Sequence, residues 1–167
     1  IFHLGIKSGS IVLECGGGSG FLTAALTYFV QPTGKVVCYE KREEFAKIIR
    51  ENLNSAGLQN YVKLVVDDCT TAKFEDNIYD ALVIDLPEPW EALPNIVHSL
   101  KSSAMLASYS PTIEQASKTV KKIRELNLEY IKTIEILERE MVIAEHGTRP
   151  QFDMLSHTGY ITYARKI

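Results

Sequence analysis

Apolar and polar positions along this chain follow two periods in turn. Short apolar runs, the pattern of strands buried on both faces, occur at Ile11 to Cys15, Lys35 to Tyr39, Tyr61 to Val66, Tyr79 to Asp85 and Ala104 to Tyr109. Helical spacing fills the intervals. Leu22, Ala25, Leu26 and Phe29 mark one apolar face, and Phe45, Ile48, Ile49, Leu53 and Ala56 mark a second within Arg42 to Ala56, stopped by Gly57. Glu91 to Leu100 predicts a short helix with Pro94 in its first turn. Ser110-Pro111-Thr112 opens another, carrying Ile113, Ala116, Val120 and Ile123. Glu129 to Ile143 alternates through Ile131, Thr133, Glu135 and Leu137, predicting one long strand exposed on one face. A loop at Glu145 to Pro150 leads to a last strand, Tyr160 to Arg165. Strands alternating with helices predict an α/β fold: a seven-stranded, mostly parallel sheet with helices on both faces. No helical pattern separates the last two strands, so the final one should run antiparallel.

The first strand turns directly into a glycine cluster. Glu14 precedes Gly16, Gly18 and Gly20, with Gly17, Ser19, Phe21 and Leu22 filling out the loop and the start of the helix. Backbone free of side chains lets a ligand approach closely, and a helix N-terminus offers unpaired N–H groups. A dinucleotide fingerprint would place its third glycine at position 21, which is Phe21. The E-x-G-x-G-x-G spacing instead resembles the loop of class I S-adenosylmethionine-dependent methyltransferases, which implies a Rossmann-like fold. The competing reading is a tight turn without a ligand.

Three further strands end in acids. Glu40 follows the second strand, ~20 residues beyond the glycine loop, where a carboxylate can accept both ribose hydroxyls of an adenosine cofactor; a solvated strand-end charge is the alternative. Asp67 and Asp68 follow the third strand, and Asp68 is the better candidate for the adenine amine; Lys41, next to Glu40, and Cys69, next to Asp68, are further cofactor-binding candidates. Asp85 ends the fourth strand and runs into Leu86-Pro87-Glu88-Pro89-Trp90. The prolines fix the backbone and donate no N–H, which suits a rigid wall at the carboxyl edge of a sheet. Trp90, the sole tryptophan, either caps the core or shapes a pocket for a flat base.

Composition narrows the classes. With 167 residues, 46% hydrophobic and 23% charged, the chain suits one globular domain spanning 1–167. No apolar run approaches the roughly 20 residues that span a bilayer. Cys15, Cys38 and Cys69 form no C-x-x-C pair. They predict neither a disulfide framework nor a metal site, and they fit a reducing, cytoplasmic setting. A net charge of −3 argues against a generic nucleic-acid coat while leaving room for a local basic patch. Ile1 to Ile6 reads as the end of an amphipathic helix, with the expectation of further chain upstream.

The second half carries a closer resemblance. D-L-P-E-P-W at Asp85 to Trp90, S-P-T-I-E-Q at Ser110 to Gln115, and Arg149-Pro150, Met154 and H-T-G-Y-I-T-Y-A-R-K at His157 to Lys166 together resemble the tRNA (adenine-N1)-methyltransferase family. The resemblance spans essentially the whole chain. It implies that Gly16 to Leu22, Glu40 and Asp68 hold S-adenosylmethionine and that Asp85 stands between the cofactor and the target adenine. Pro87, Trp90, Tyr109, His157 and Thr158 would line the substrate side, His157 with a purely structural hydrogen bond as its alternative. It further implies tRNA as partner, a homo-oligomer, most simply a tetramer, and an N-terminal RNA-binding domain upstream of this catalytic one. A tetramer would bury the long late strand through Ile134, Ile136 and Val142. Two alternatives stand beside this reading. One is a class I methyltransferase acting on a small molecule or protein; the other is a non-catalytic RNA-binding partner subunit, against which the intact glycine loop, Glu40 and Asp85 speak.

Overall fold

A computed structural model describes residues 1–167. After a single 3-10 turn at Phe2–Leu4, the chain builds β1 (Ile11–Cys15), α1 (Phe21–Val30), β2 (Lys35–Tyr39), α2 (Glu43–Ser55), β3 (Val62–Val65), β4 (Tyr79–Ile84), α3 (Pro89–Ile96), β5 (Leu100–Ser110) and α4 (Ile113–Glu125). It closes with β6 (Glu129–Ile134), a hairpin of β7 (Met141–Ala144) and β8 (Gly147–Pro150), and β9 (Tyr160–Arg165). Seven strands form one sheet in the order β3-β2-β1-β4-β5-β9-β6, and the hairpin stands apart. The pairs from β3 through β5 are parallel, while β9 lies antiparallel between β5 and β6. The predicted seven-stranded α/β sheet with its antiparallel last strand is the observed one.

Because β1, β2, β4 and β5 are covered on both faces, successive residues feed two separate cores. Val12, Val36, Ala81 and Val83 pack with Leu26 and Val30 of α1 and Ile49 and Leu53 of α2. Leu13, Val37, Leu82 and Ile84 pack with Leu93 and Ile96 of α3 and Ile123 of α4. Strand order reverses between β1 and β4, which opens a crevice at the carboxyl ends of these strands.

Several expected details shift. The buried face of α1 is Thr23, Leu26, Thr27 and Val30, turned one residue from the apolar stripe expected from Leu22. Threonine is tolerated there because the Thr27 hydroxyl donates to the Thr23 carbonyl at 2.7 Å. Ile48, expected inward, is exposed, and Ala46 takes its place in the core. α3 begins at Pro89, so Pro94 falls inside the helix, which tightens into a 3-10 turn at Val97–Ser99. β5 starts at Leu100, the residue expected to end that helix. The largest correction concerns the expected strand from Glu129 to Ile143. β6 stops at Ile134 because its ladder partner runs out: Ile134 pairs with Ile161, and β9 begins at Tyr160. The chain then leaves the sheet, and the expected loop at Glu145 to Pro150 supplies the turn and second strand of the hairpin.

Candidate active site

The carboxyl ends of five strands converge on one cleft of about 470 Å³. The end of β1 contributes Gly16 and Gly18, and the end of β2 contributes Tyr39, Glu40, Lys41 and Arg42. Asp67, Asp68 and Cys69 follow β3; Asp85, Leu86 and Pro87 follow β4. Tyr109, Pro111 and Gln115 close the side formed by β5 and α4.

The glycine loop fits an elongated ligand. Gly16 sits at φ +91°, and a Cβ there would strike the Asp85 carbonyl, so only glycine lets β1 and β4 meet at the crevice. Glu40 is almost fully buried and its carboxylate is crowded with donors. It accepts from the Gly18 N–H at 3.0 Å, the Arg42 N–H at 3.1 Å and the Arg42 Nε at 2.9 Å. Burial alone would raise its pKa, but the hydrogen bonds from Arg42 and Gly18 outweigh it and hold Glu40 below the usual carboxylate range. The Arg42 guanidinium also lies over the Phe45 ring at 3.8 Å.

Across the cleft, Asp68 Oδ1 accepts from the Thr70 N–H at 2.9 Å and the Thr70 hydroxyl at 2.7 Å, and those bonds lower its pKa. Lys41 stands 3.7 Å from its other oxygen. Asp85 behaves oppositely. Water in the cleft reaches its side chain, yet the surrounding walls still desolvate it enough to raise its pKa. Gln115 fixes the loop beyond Asp85 by donating from Nε2 to the Pro87 carbonyl at 2.9 Å, while its Oε1 completes a capping box with Thr112.

Glu14 lies beneath the loop, fully buried, and neither carboxylate oxygen has a hydrogen-bond partner of good geometry. Burial pushes its pKa up to about 7, the Thr23 hydroxyl and Cys38 thiol offsetting part of the effect and the Asp85 charge adding to it. Glu14 is sealed off from the cleft, so the groups that can meet a ligand there are the Gly16 and Gly18 backbone, Glu40 and Asp68.

Of the residues singled out in the sequence, Gly16, Gly18, Glu40, Lys41, Asp68, Cys69, Asp85, Pro87 and Tyr109 line this cleft together. Gly17, Ser19, Gly20, Phe21 and Leu22 form the back of the loop and the first turn of α1, with the Ser19 carbonyl accepting from Asn52 at 2.7 Å. Trp90 lies outside the cleft on α3, its ring 4.9 Å from the Lys118 ammonium. His157 and Thr158 stand behind the Tyr109 wall, not on the lining. Sequence reasoning passed over Tyr39, Arg42, Leu86, Pro111 and Gln115 as lining groups, and it weighed Asp67 only behind Asp68. Leu86, Pro111 and Gln115 lie in the D-L-P-E-P-W and S-P-T-I-E-Q motifs, and Gln115 carried a further signal, the T-x-x-Q spacing of a capping box.

The profile of the family described as "tRNA methyltransferase complex GCD14 subunit" matches residues 1–147. The chain belongs to this tRNA methyltransferase family. It is 38% identical to the tRNA (adenine(57)-N(1)/adenine(58)-N(1))-methyltransferase TrmI of Methanocaldococcus jannaschii, across 99% of this chain and 67% of that one. It is 36% identical to the tRNA (adenine(58)-N(1))-methyltransferase catalytic subunit of Dictyostelium discoideum, across 83% of this chain and 46% of the relative. Among solved structures, the tRNA (m1A58) methyltransferase TrmI of Aquifex aeolicus superposes with a TM-score of 0.89 at 32% identity, covering 99% of this chain and 66% of that one. A protein of Thermotoga maritima described as an S-adenosylmethionine-dependent O-methyltransferase superposes with a TM-score of 0.92 at 36% identity, covering 99% and 62%. The chain thus spans from about half to two thirds of the length of these relatives. Membership of the tRNA methyltransferase family carries S-adenosylmethionine as its cofactor. No helix is long and apolar enough to cross a membrane.

Proposed function

We propose that this chain is the catalytic domain of an enzyme that moves the methyl group of S-adenosylmethionine to N1 of an adenosine in the tRNA T-loop. The observation that carries the reading is Asp85: a carboxylate at the end of a central strand, facing the cleft between the glycine loop and the Tyr109 wall. The cofactor supplies an electrophilic methyl on a sulfonium. Glu40 would hold its ribose hydroxyls, Asp68 its adenine amine, and the Gly16–Gly18 backbone its approach to β1, with Glu14 below the loop. Adenine N1 is neutral and already has a lone pair, so no strong base is required. Methylation leaves the adenine cationic. Asp85, accepting a hydrogen bond from the N6 amine, would orient N1 and stabilise the developing charge. The base must leave its stack to arrive there, and the Tyr109 ring, 37% exposed at the mouth, is placed to receive it.

Assembly is the second part of the reading. Ile136, Leu137, Met141, Ile143, Phe152 and Leu155 all stand at least 48% exposed on the excursion between β6 and β9. This run of exposed apolar side chains, with Met141 and Ile143 on the hairpin apart from the main sheet, supports a homo-oligomer, which we take to be a tetramer whose neighbouring subunits share the RNA. Single-turnover transfer from labelled S-adenosylmethionine to unmodified tRNA tests the functional reading. Asp85→Ala should slow the transfer step by 100-fold or more, the scale of a lost electrostatic stabiliser, with cofactor Kd changed less than threefold. Equal losses in rate and cofactor affinity would make Asp85 a cofactor ligand and remove the proposed chemistry.

A further inference from the structure

Tyr109 and Pro111 wall the cleft opposite the glycine loop, and what braces them lies far along the chain. Glu135 and Ile136, just past β6, grip His157 and Thr158, just before β9. One Glu135 oxygen meets His157 Nδ1 at 2.7 Å and accepts from the Thr158 N–H at 3.0 Å. The Thr158 hydroxyl donates to the Ile136 carbonyl at 2.8 Å. On the far side, His157 Nε2 meets the Pro111 carbonyl at 2.6 Å, and the Tyr109 hydroxyl donates to the Thr158 carbonyl at 2.9 Å. Gly159 lies so close against the Tyr109 ring that a Cβ there would run into it.

We propose that Glu135 is a positioning residue for the methyl-accepting base: by holding His157 and Thr158 it sets Tyr109 and Pro111 as the wall that presents the base to Asp85. The proposal rests on the functional reading above. Glu135 does not line the cleft, so it acts only through the residues it holds.

The chemistry of the grip is specific. A carbonyl and a carboxylate can only accept, so both bonds to His157 exist together only when both ring nitrogens carry hydrogen. The Pro111 carbonyl first, and the Glu135 carboxylate second, accordingly raise the His157 pKa above its ordinary value. The Thr158 N–H, and then His157, hold Glu135 below the usual range. The groups facing the ring are Glu135 from the end of β6, the Pro111 carbonyl from the entrance to α4, and the Tyr160 ring at 5.3 Å on its own segment. The pair lies near the surface, with His157 47% and Glu135 24% exposed, so the grip matters for geometry more than for stability. It is complete below the raised His157 pKa, and one ring bond is lost as pH rises through that value.

The test compares full-length wild type with Glu135→Ala and Glu135→Gln. In Glu135→Gln, which keeps an acceptor for the Thr158 N–H but removes the charge, the His157 imidazole resonances should titrate at lower pH than in wild type. In Glu135→Ala, amide exchange at Thr158 should quicken tenfold or more. In both variants kcat/KM for unmodified tRNA should fall at least tenfold while cofactor Kd stays within twofold. In Glu135→Gln the alkaline limb of the kcat/KM profile should move to lower pH with the His157 titration. An unmoved His157 titration, an unmoved alkaline limb, wild-type kcat/KM, or a cofactor affinity that falls in step with kcat/KM would each overturn the proposal. If Glu135→Ala does not fold, the near-isosteric Glu135→Gln decides. A wild type that transfers no methyl to tRNA overturns the functional reading instead, and the titration and exchange results still decide whether Glu135 holds this wall.

Discussion

Two buried glutamates near the glycine loop have opposite surroundings and should respond oppositely to change. Glu40 is saturated with donors, and in the proposed complex its carboxylate holds the ribose. Glu40→Ala should therefore weaken S-adenosylmethionine binding by roughly 1.5–3 kcal/mol, the range for a hydrogen bond to a charged group. Calorimetry showing unchanged affinity would remove Glu40 from the site. Glu14 is starved of donors, and its folded-state pKa is raised from 4.5 to about 7. A raised carboxyl pKa means the folded state holds its proton more tightly than the unfolded one. The associated stability is therefore complete below pH 4.5 and lost as pH rises through about 7. The total is about 3 kcal/mol. Wild type should lose stability relative to Glu14→Gln across this window in denaturant melts at a series of pH values. Parallel curves for the two proteins would show that Glu14 is not held neutral. The places of Glu40 and Asp85 on the cleft were open to sequence reasoning because they end strands beside the glycine loop, whereas Glu14, expected at the cofactor, is buried off the lining. Those of Arg42 and Leu86 were not open to it, since only the folded crevice shows which neighbours of a strand end turn inward.

At the scale of elements, the legible parts are those where one local pattern decides. Buried strands flanked by glycine turns came out within a residue or two, and Thr112 opens α4 as expected. Its side chain accepts from the Gln115 N–H at 3.3 Å, and Gln115 returns the bond to the Thr112 N–H at 3.1 Å. Thr112→Ala should cost about 1 kcal/mol of stability in equilibrium unfolding. It should also loosen the Gln115 hold on the Pro87 carbonyl, lowering methyl transfer more than cofactor binding. A stability loss without that kinetic signature would make the cap purely structural. The stretch after Ile134 was not legible for a physical reason. Alternating residues report that a strand could form, whereas its length is set by the partner strand, and β9 starts too late to extend the ladder. Trp90 was equally undecidable, because α3 starts two residues earlier than its periodicity indicated and turns the ring toward Lys118.

For the whole molecule, the parallel sheet with its crevice at the strand-order reversal brings the acids after β2, β3 and β4 to one cleft. The acceptor side depends instead on β5 and on the grip between β6 and β9. In the proposed complex that division separates cofactor binding from RNA handling. The exposed excursion links the second to assembly. Ile143→Glu, at the most exposed large apolar residue of the hairpin, should shift the protein from the proposed tetramer toward smaller species in sedimentation experiments and weaken tRNA binding, with cofactor affinity unchanged. A wild type that sediments as a monomer at micromolar concentration would contradict this. The most direct test of the account is nucleoside mass spectrometry of unmodified tRNA incubated with the full-length protein and S-adenosylmethionine. The account predicts 1-methyladenosine arising in the T-loop. A 2′-O-methylated nucleoside, N6-methyladenosine formed directly, or no methylated nucleoside from a protein that binds the cofactor would contradict it.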